Sequence, residues 1–286
     1  MERPAPAAPL DRLPPQALFI MAAVSQYIGA ALAVLLFAKV PAAGVAWLRI
    51  LASAGVLIAW RKPWHTHWTP SRLKIVTAFG LVLATMNVTF YLAIDRLPLG
   101  TAVAIEFCGP IAVAALGSRT RRDYAALALA TIGVLALADV HLAGEPAGLA
   151  FAITAGVAWA GYIVIGHRMA ADAGIRPQDG LALGMGIGAL AYAPILLGSA
   201  IPAWEDPALL AACIGVGILS SAVPYALEQV AMRRLARPRF ALLLALLPAT
   251  AAIVGAVILG QIPTPAEAAG IALIVIASLL RSHEGV

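Results

Sequence analysis

Run after run of about twenty apolar residues, each closed by proline, glycine or a small basic cluster, fixes the solvent in which this chain can fold. A helix needs roughly 20 apolar residues to cross a hydrocarbon core. Ten such runs can be drawn, over 16–37, 42–60, 73–92, 99–118, 124–138, 147–169, 180–200, 207–232, 240–260 and 265–280. Among 286 residues, 62% are hydrophobic and only 12% charged, so the connections are short and no separate soluble domain fits between them. The expected fold is therefore an all-α membrane protein with ten transmembrane helices, the fifth short enough to lie tilted or partly at the interface. The apolar run that follows the Pro/Ala-rich start is too long for the core of a signal peptide and is read as an uncleaved first helix.

Charge placement orients the spans. A net charge of +5 is compatible with nucleic-acid binding, but the basic residues stand in clusters between apolar runs, where membrane topology puts them. With the N-terminus inside, sixteen of the 19 Lys and Arg fall on the cytoplasmic side, Lys39 and Arg96 fall outside, and Arg49 lies within a span. One missed helix would scramble that pattern. The expectation is a multi-pass inner-membrane protein with both termini cytoplasmic, surrounded by lipid and not bound to nucleic acid. The two cysteines, Cys108 and Cys213, sit inside apolar runs and read as small hydrophobes and not as a disulfide.

The halves resemble each other weakly at a spacing near 138 residues: Arg96–Leu97 with Arg234–Leu235, and Pro110 with Pro248. Five spans per half is odd, so the halves must be inverted in the membrane, as in secondary transporters that place their site near the midplane. The expected organisation is a cytoplasmic tail (1–15), a first five-helix repeat (16–139) and a second (147–281).

Ionisable groups inside a span need a partner or a function, and there are three. Glu106 lies about seven residues into its run with no basic residue within a turn, and Pro110 frees a backbone carbonyl beside it. It is a candidate proton carrier or partner for a substrate amine, against a reading as a carboxyl bonded to a neighbouring helix. The register puts Leu244 opposite it, so one half alone carries this acid. Arg49 can hold a carboxylate, whether of a substrate or of Glu106, or fix helix packing. Glu228 shares a stripe with Ser221 and Tyr225, but Arg233 and Arg234 follow closely and give a cytoplasmic-end ion pair the slightly stronger claim on it. Asn87 and Tyr91 share one face of the third run; Trp159 and Tyr162 share one in the sixth, deep enough to line a cavity or fill the core. Gly180, Gly184 and Gly188 form a small-residue seam that joins two helices of the chain or two copies of it.

No GxSxG, GxxxxGK[ST] or HExxH element occurs, and His65, His67, His141, His167 and His283 form no ligand set. Nothing points to an enzyme, a metal or a cofactor.

The stretch PLGTAVAIEFCGPIAVAALGSR at 98–119 resembles the fourth-helix signature of bacterial threonine/homoserine exporters, in the EamA-type branch of the drug/metabolite transporter superfamily. GVAWLR at 44–49, KPW at 62–64, AWAGYIV at 158–164 and SSAVPYALE at 220–228 extend the resemblance through both halves. It implies ten helices in two inverted repeats around a central cavity, alternating access, and proton-linked antiport of amino acids, with no need for an oligomer. By carry-over Arg49, Glu106, Tyr225 and Glu228 stand on motif positions; Tyr91, Trp159, Tyr162 and Tyr225 are expected to shape the cavity, and Asn87 is expected among the binding residues. Val34 stands where the family often has lysine, which implies a broad amino-acid range beyond threonine and homoserine. The alternatives are export of aromatic amino acids, other metabolites or cationic drugs, and more remotely a membrane-embedded enzyme.

Overall fold

The computed structural model describes residues 13–117, 120–141, 145–225, 227, 231 and 243–282, and among these every regular element is helical. The chain order is α1 (Pro15–Leu36), α2 (Ala42–Arg61), α3 (Pro70–Ile94), α4 (Leu99–Glu106), α5 (Cys108–Gly117), α6 (Arg121–His141), α7 (Pro146–Ala171), α8 (Pro177–Glu205), α9 (Pro207–Gly217), α10 (Leu247–Leu259) and α11 (Pro265–Ser282). Six of the helical stretches are long and apolar enough to cross a membrane: α1, α2, α3, α7, α8, and α9 continued to Tyr225. Shorter apolar stretches cover Leu99–Val113, Tyr124–Leu137, Leu247–Leu259 and Pro265–Leu280.

Prolines set several of the starts. Pro15, Pro70, Pro146, Pro177 and Pro207 each occupy the first turn, where the missing N–H is no loss. Thr69 caps α3 by accepting the Arg72 N–H, and Asp206 caps α9 through the N–H groups of Ala208 and Leu209. Gly260, at φ +68°, ends α10 in the left-handed conformation that glycine adopts without strain.

Two expected spans are interrupted, both by proline. The fourth is not one helix: α4 stops at Glu106, and α5 begins at Cys108. Pro110 has no N–H for the Glu106 carbonyl and its ring crowds that position. The eighth run passes through a π-helical turn at Ile218–Ala222 just before Pro224, and its expected end at Met232 lies outside the described residues. The fifth span is longer than its apolar stretch, because Arg121–Asp123 and the last residues to His141 are also helical.

The helices pack mainly across the two halves. α2 lies on α8 and α9, α3 on α7 and α8, α6 on α11, α1 on α9 and α10, and α4 on α7 and α10. Exchanging each helix of the first half for the one five spans later (α4–α5 taken as one) returns the same set of contacts. Close approach depends on glycine. A Cβ at Gly80 would strike the Gly184 carbonyl, one at Gly188 would strike that of Gly80, and one at Gly109 would strike that of Gly156. With small side chains at the crossings, backbones come near enough for packing to hold helices together where no hydrophobic drive exists. The glycine seam of α8 is thus used within the chain, Gly184 and Gly188 against α3, while Gly180 packs on Met169.

Candidate functional site

Arg49, buried in the middle of α2, is built into a cage of neutral acceptors. Its Nη1 donates to Asn87 Oδ1 at 2.6 Å, its Nη2 to the Ser220 carbonyl at 3.1 Å and its Nε to Ser221 Oγ at 3.1 Å. The Tyr91 ring stacks on the guanidinium with Cζ 5.0 Å from the ring centroid, a cation–π contact that leaves the charge intact. The Ser220 carbonyl is available because Pro224, one turn on, has no N–H to give it. The neighbouring Leu219 carbonyl accepts Ser25 Oγ at 2.8 Å. Asn87 is itself oriented, its Nδ2 donating to Leu83 O at 2.8 Å, so its oxygen is aimed at the arginine. A guanidinium has five N–H donors; three are used, and one on each terminal nitrogen has no partner among the described residues. That pair is what a carboxylate takes in bidentate fashion.

Arg49 lines a hollow that spans about 500 Å³ with its open mouth included, together with Gln26, Tyr27 and Ala30 of α1, Met86, Asn87 and Phe90 of α3, Glu106, Trp159 of α7 and Ser220. Glu106 enters from the broken end of α4. Its carboxylate has no hydrogen bond or ion pair among the described residues, and no ion pair joins it to Arg49. Gly156 of α7 packs against this break, and its missing Cβ would sit 3.0 Å from the Glu106 carbonyl. Phe90 and Trp159 supply aromatic lining, and Trp159 is backed by Phe107, edge-on at 5.0 Å between centroids. The hollow thus presents one cation with an open fork and one acid without a partner among the described residues, between the apolar Ala30, Met86, Phe90 and Trp159 and the polar Gln26, Asn87 and Ser220. Both charges come from the first half, while Trp159 and Ser220 come from the second.

Among curated proteins, the "Threonine/homoserine exporter RhtA" of Escherichia coli (strain K12) is 37% identical over 273 residues, 93% of this chain and 90% of that one. The exporter of the same description from Salmonella typhimurium is 36% identical over 271 residues, with the same coverage. The model of the EamA-like transporter family matches residues 146–282. The chain belongs to the EamA-like transporter family. A solved crystal structure of a protein 20% identical to this one superposes with a TM-score of 0.59, over 93% of this chain and 95% of that chain, and shows that the fold is shared.

For an EamA-like transporter the positions of the expected site residues are informative. Arg49, Asn87, Glu106 and Trp159 come together on the hollow. Tyr91 does not line it: the side chain is fully buried behind Arg49, and its hydroxyl lies beside Ser220 without a hydrogen bond of proper geometry. Tyr162 turns away to pack on Phe79, 5.0 Å between centroids. Tyr225 is half-buried beyond the π turn and is not in the lining. Glu228, with its neighbours Arg233 and Arg234, lies outside the described residues. Sequence reasoning did not assign a role to Gln26, Ala30, Met86, Phe90 or Ser220. Gln26 and Ala30 are spaced four apart on α1, a signal of a shared face, but only the fold shows that this face looks inward. Among the described residues no group of three or more metal-ligating side chains occurs.

Proposed function

We propose that this chain is an inner-membrane exporter of amino acids that works by alternating access and proton antiport, with ten spans in two inverted repeats (16–139 and 147–281) and both termini cytoplasmic. The observation that carries the reading is the pairing, in one mid-span hollow, of the open Arg49 fork with the unpartnered Glu106 carboxylate. A zwitterionic amino acid offers the matching pair: its carboxylate goes to the fork by two charge-assisted hydrogen bonds, its ammonium to Glu106. A proton on Glu106 removes the charge that holds the ammonium, which couples proton entry to release. Trp159, backed by Phe107, supplies aromatic lining, and the absence of a charge at Val34 leaves room for side chains other than those of threonine and homoserine. Support for the inverted repeat comes from the exchange symmetry of the helix contacts, and support for the substrate class from the exporters named above.

The test is counterflow in proteoliposomes preloaded with threonine, with all the common amino acids as competitors. Saturable exchange competed by several amino acids is expected, and Glu106→Gln should lose its dependence on pH. Competition by quaternary ammonium compounds with none by amino acids would overturn the proposal in favour of a cationic-drug pump.

A further inference from the structure

We propose that Asn87 sets the charge selectivity of the site: a neutral amide that locks Arg49 in place without neutralising it, so that the hollow selects zwitterions over cations. The inference rests on the reading of Arg49 as the carboxylate site and goes a step further, to what keeps that site open.

Three acceptors immobilise the guanidinium. Two, the Ser220 carbonyl and Ser221 Oγ, come from the π turn after α9; the third, Asn87 Oδ1, comes from α3 and makes the shortest contact, 2.6 Å. A buried arginine at this position would ordinarily be expected to face a carboxylate. Asparagine has the shape of aspartate and gives the same acceptor oxygen at the same place, yet carries no charge. Its orientation is enforced, because Nδ2 is committed to the Leu83 carbonyl, so the amide cannot turn its N–H₂ toward the guanidinium. The geometry is therefore that of an ion pair with the anion withheld. Of the described groups lining the hollow, Arg49 and Glu106 alone can carry a full charge near neutral pH; with Glu106 ionised they sum to zero, which matches a zwitterion. An aspartate at position 87 would pair with Arg49 and compete with the incoming carboxylate for the fork. The charge sum would become −1, which matches an amine lacking a carboxylate. Asn87 acts through Arg49 and is a positioning residue.

The experiment compares the wild-type protein and Asn87→Asp in proteoliposomes, by counterflow of labelled L-threonine with unlabelled L-threonine or 1-aminopropan-2-ol (threonine without its carboxylate) as competitor. In the wild type, threonine should compete about 100-fold better or more, the worth of two charge-assisted hydrogen bonds. In Asn87→Asp the threonine KM should rise about ten-fold or more with kcat changed less, and the amino alcohol should match or exceed threonine. A purely structural role would lower transport without inverting that order. Threonine KM within about two-fold of wild type, with the order of competitors unchanged, overturns the inference. Asn87→Leu, which removes the acceptor and adds no charge, gives a second arm: its threonine KM should rise while the amino alcohol gains nothing, and a wild-type KM there also overturns it. Strong competition by the amino alcohol in the wild type does so without any variant. If the wild type exchanges no amino acid at all, it is the proposed function that falls; if it does and the variants behave as wild type, only the role of Asn87 falls.

Discussion

Replacing Arg49 by lysine keeps the charge and changes only the donor geometry, so its effect can be worked out bond by bond. The guanidinium holds three acceptors and offers two further N–H groups, one on each terminal nitrogen. An ammonium has three donors on a single nitrogen. If two of them keep Asn87 Oδ1 and the Ser220 carbonyl, one remains, and a bidentate grip on a carboxylate becomes a single bond. The loss of one charge-assisted hydrogen bond is about 1.5–3 kcal/mol, or roughly 10–150-fold in affinity. Since the contact is made in the bound ground state, the change should fall on KM more than on kcat. Stability should drop less, because Ser221 is half-buried and its hydroxyl can turn to another acceptor. The assay is the threonine KM in counterflow for Arg49→Lys, with a thermal melt of both purified proteins in detergent. A KM equal to wild type, or an equal loss for a substrate with no carboxylate, would refute the fork as the recognition element.

Three further outcomes follow from the packing. Gly80→Ala places a methyl group against the Gly184 carbonyl, so α3 and α8 must separate; overpacking of that kind costs about 1–3 kcal/mol, and an unchanged melting temperature would contradict the close crossing. Asp179 has no exposed side-chain surface and binds Arg176 Nε at 2.7 Å, Arg61 Nε at 3.1 Å and Thr66 Oγ1 at 2.7 Å, joining the α2–α3 connection to the start of α8. Asp179→Asn leaves two arginines without their anion and should lower stability by about 1.5–3 kcal/mol, read by the same melt; no change would show that the cluster is not holding the two halves. Asp172, after the end of α7, accepts the Gly174 N–H and pairs with Arg72, which together hold its carboxyl below the usual carboxylate range. A depressed folded value means that the stabilisation is present at neutral pH and is lost as pH falls through that value. Melts of wild type and Asp172→Asn should therefore differ slightly at neutral pH and converge in acid, and a constant gap at every pH would refute the assignment.

The spans were legible because lipid imposes length and apolarity on each of them, and the described helix starts fall within three residues of the apolar runs for most elements. What the runs do not encode is interruption. Pro110 and Pro224 stand in the sequence, yet whether a proline bends a helix, breaks it, as between α4 and α5, or opens a π turn, as at Ile218–Ala222, depends on which neighbour takes the freed carbonyl. Arg49 and Glu106 could be picked out as candidates from their cost in an apolar run, and their lack of a mutual ion pair could not. The Ser220 carbonyl was invisible for a plain reason: a backbone acceptor has no signature in residue type. Tyr91 and Tyr162 share faces with Asn87 and Trp159, but a helical face about 100° wide includes both the lining and what lies behind it.

The most direct measurement is an experimental structure of the protein with L-threonine bound, at a resolution that separates carboxylate from ammonium. The account predicts the carboxylate within hydrogen-bond distance of both Nη1 and Nη2 of Arg49, the ammonium at Glu106, and Asn87 Oδ1 still on the guanidinium. Threonine bound elsewhere, or bound in the hollow with its carboxylate turned away from Arg49, would contradict it.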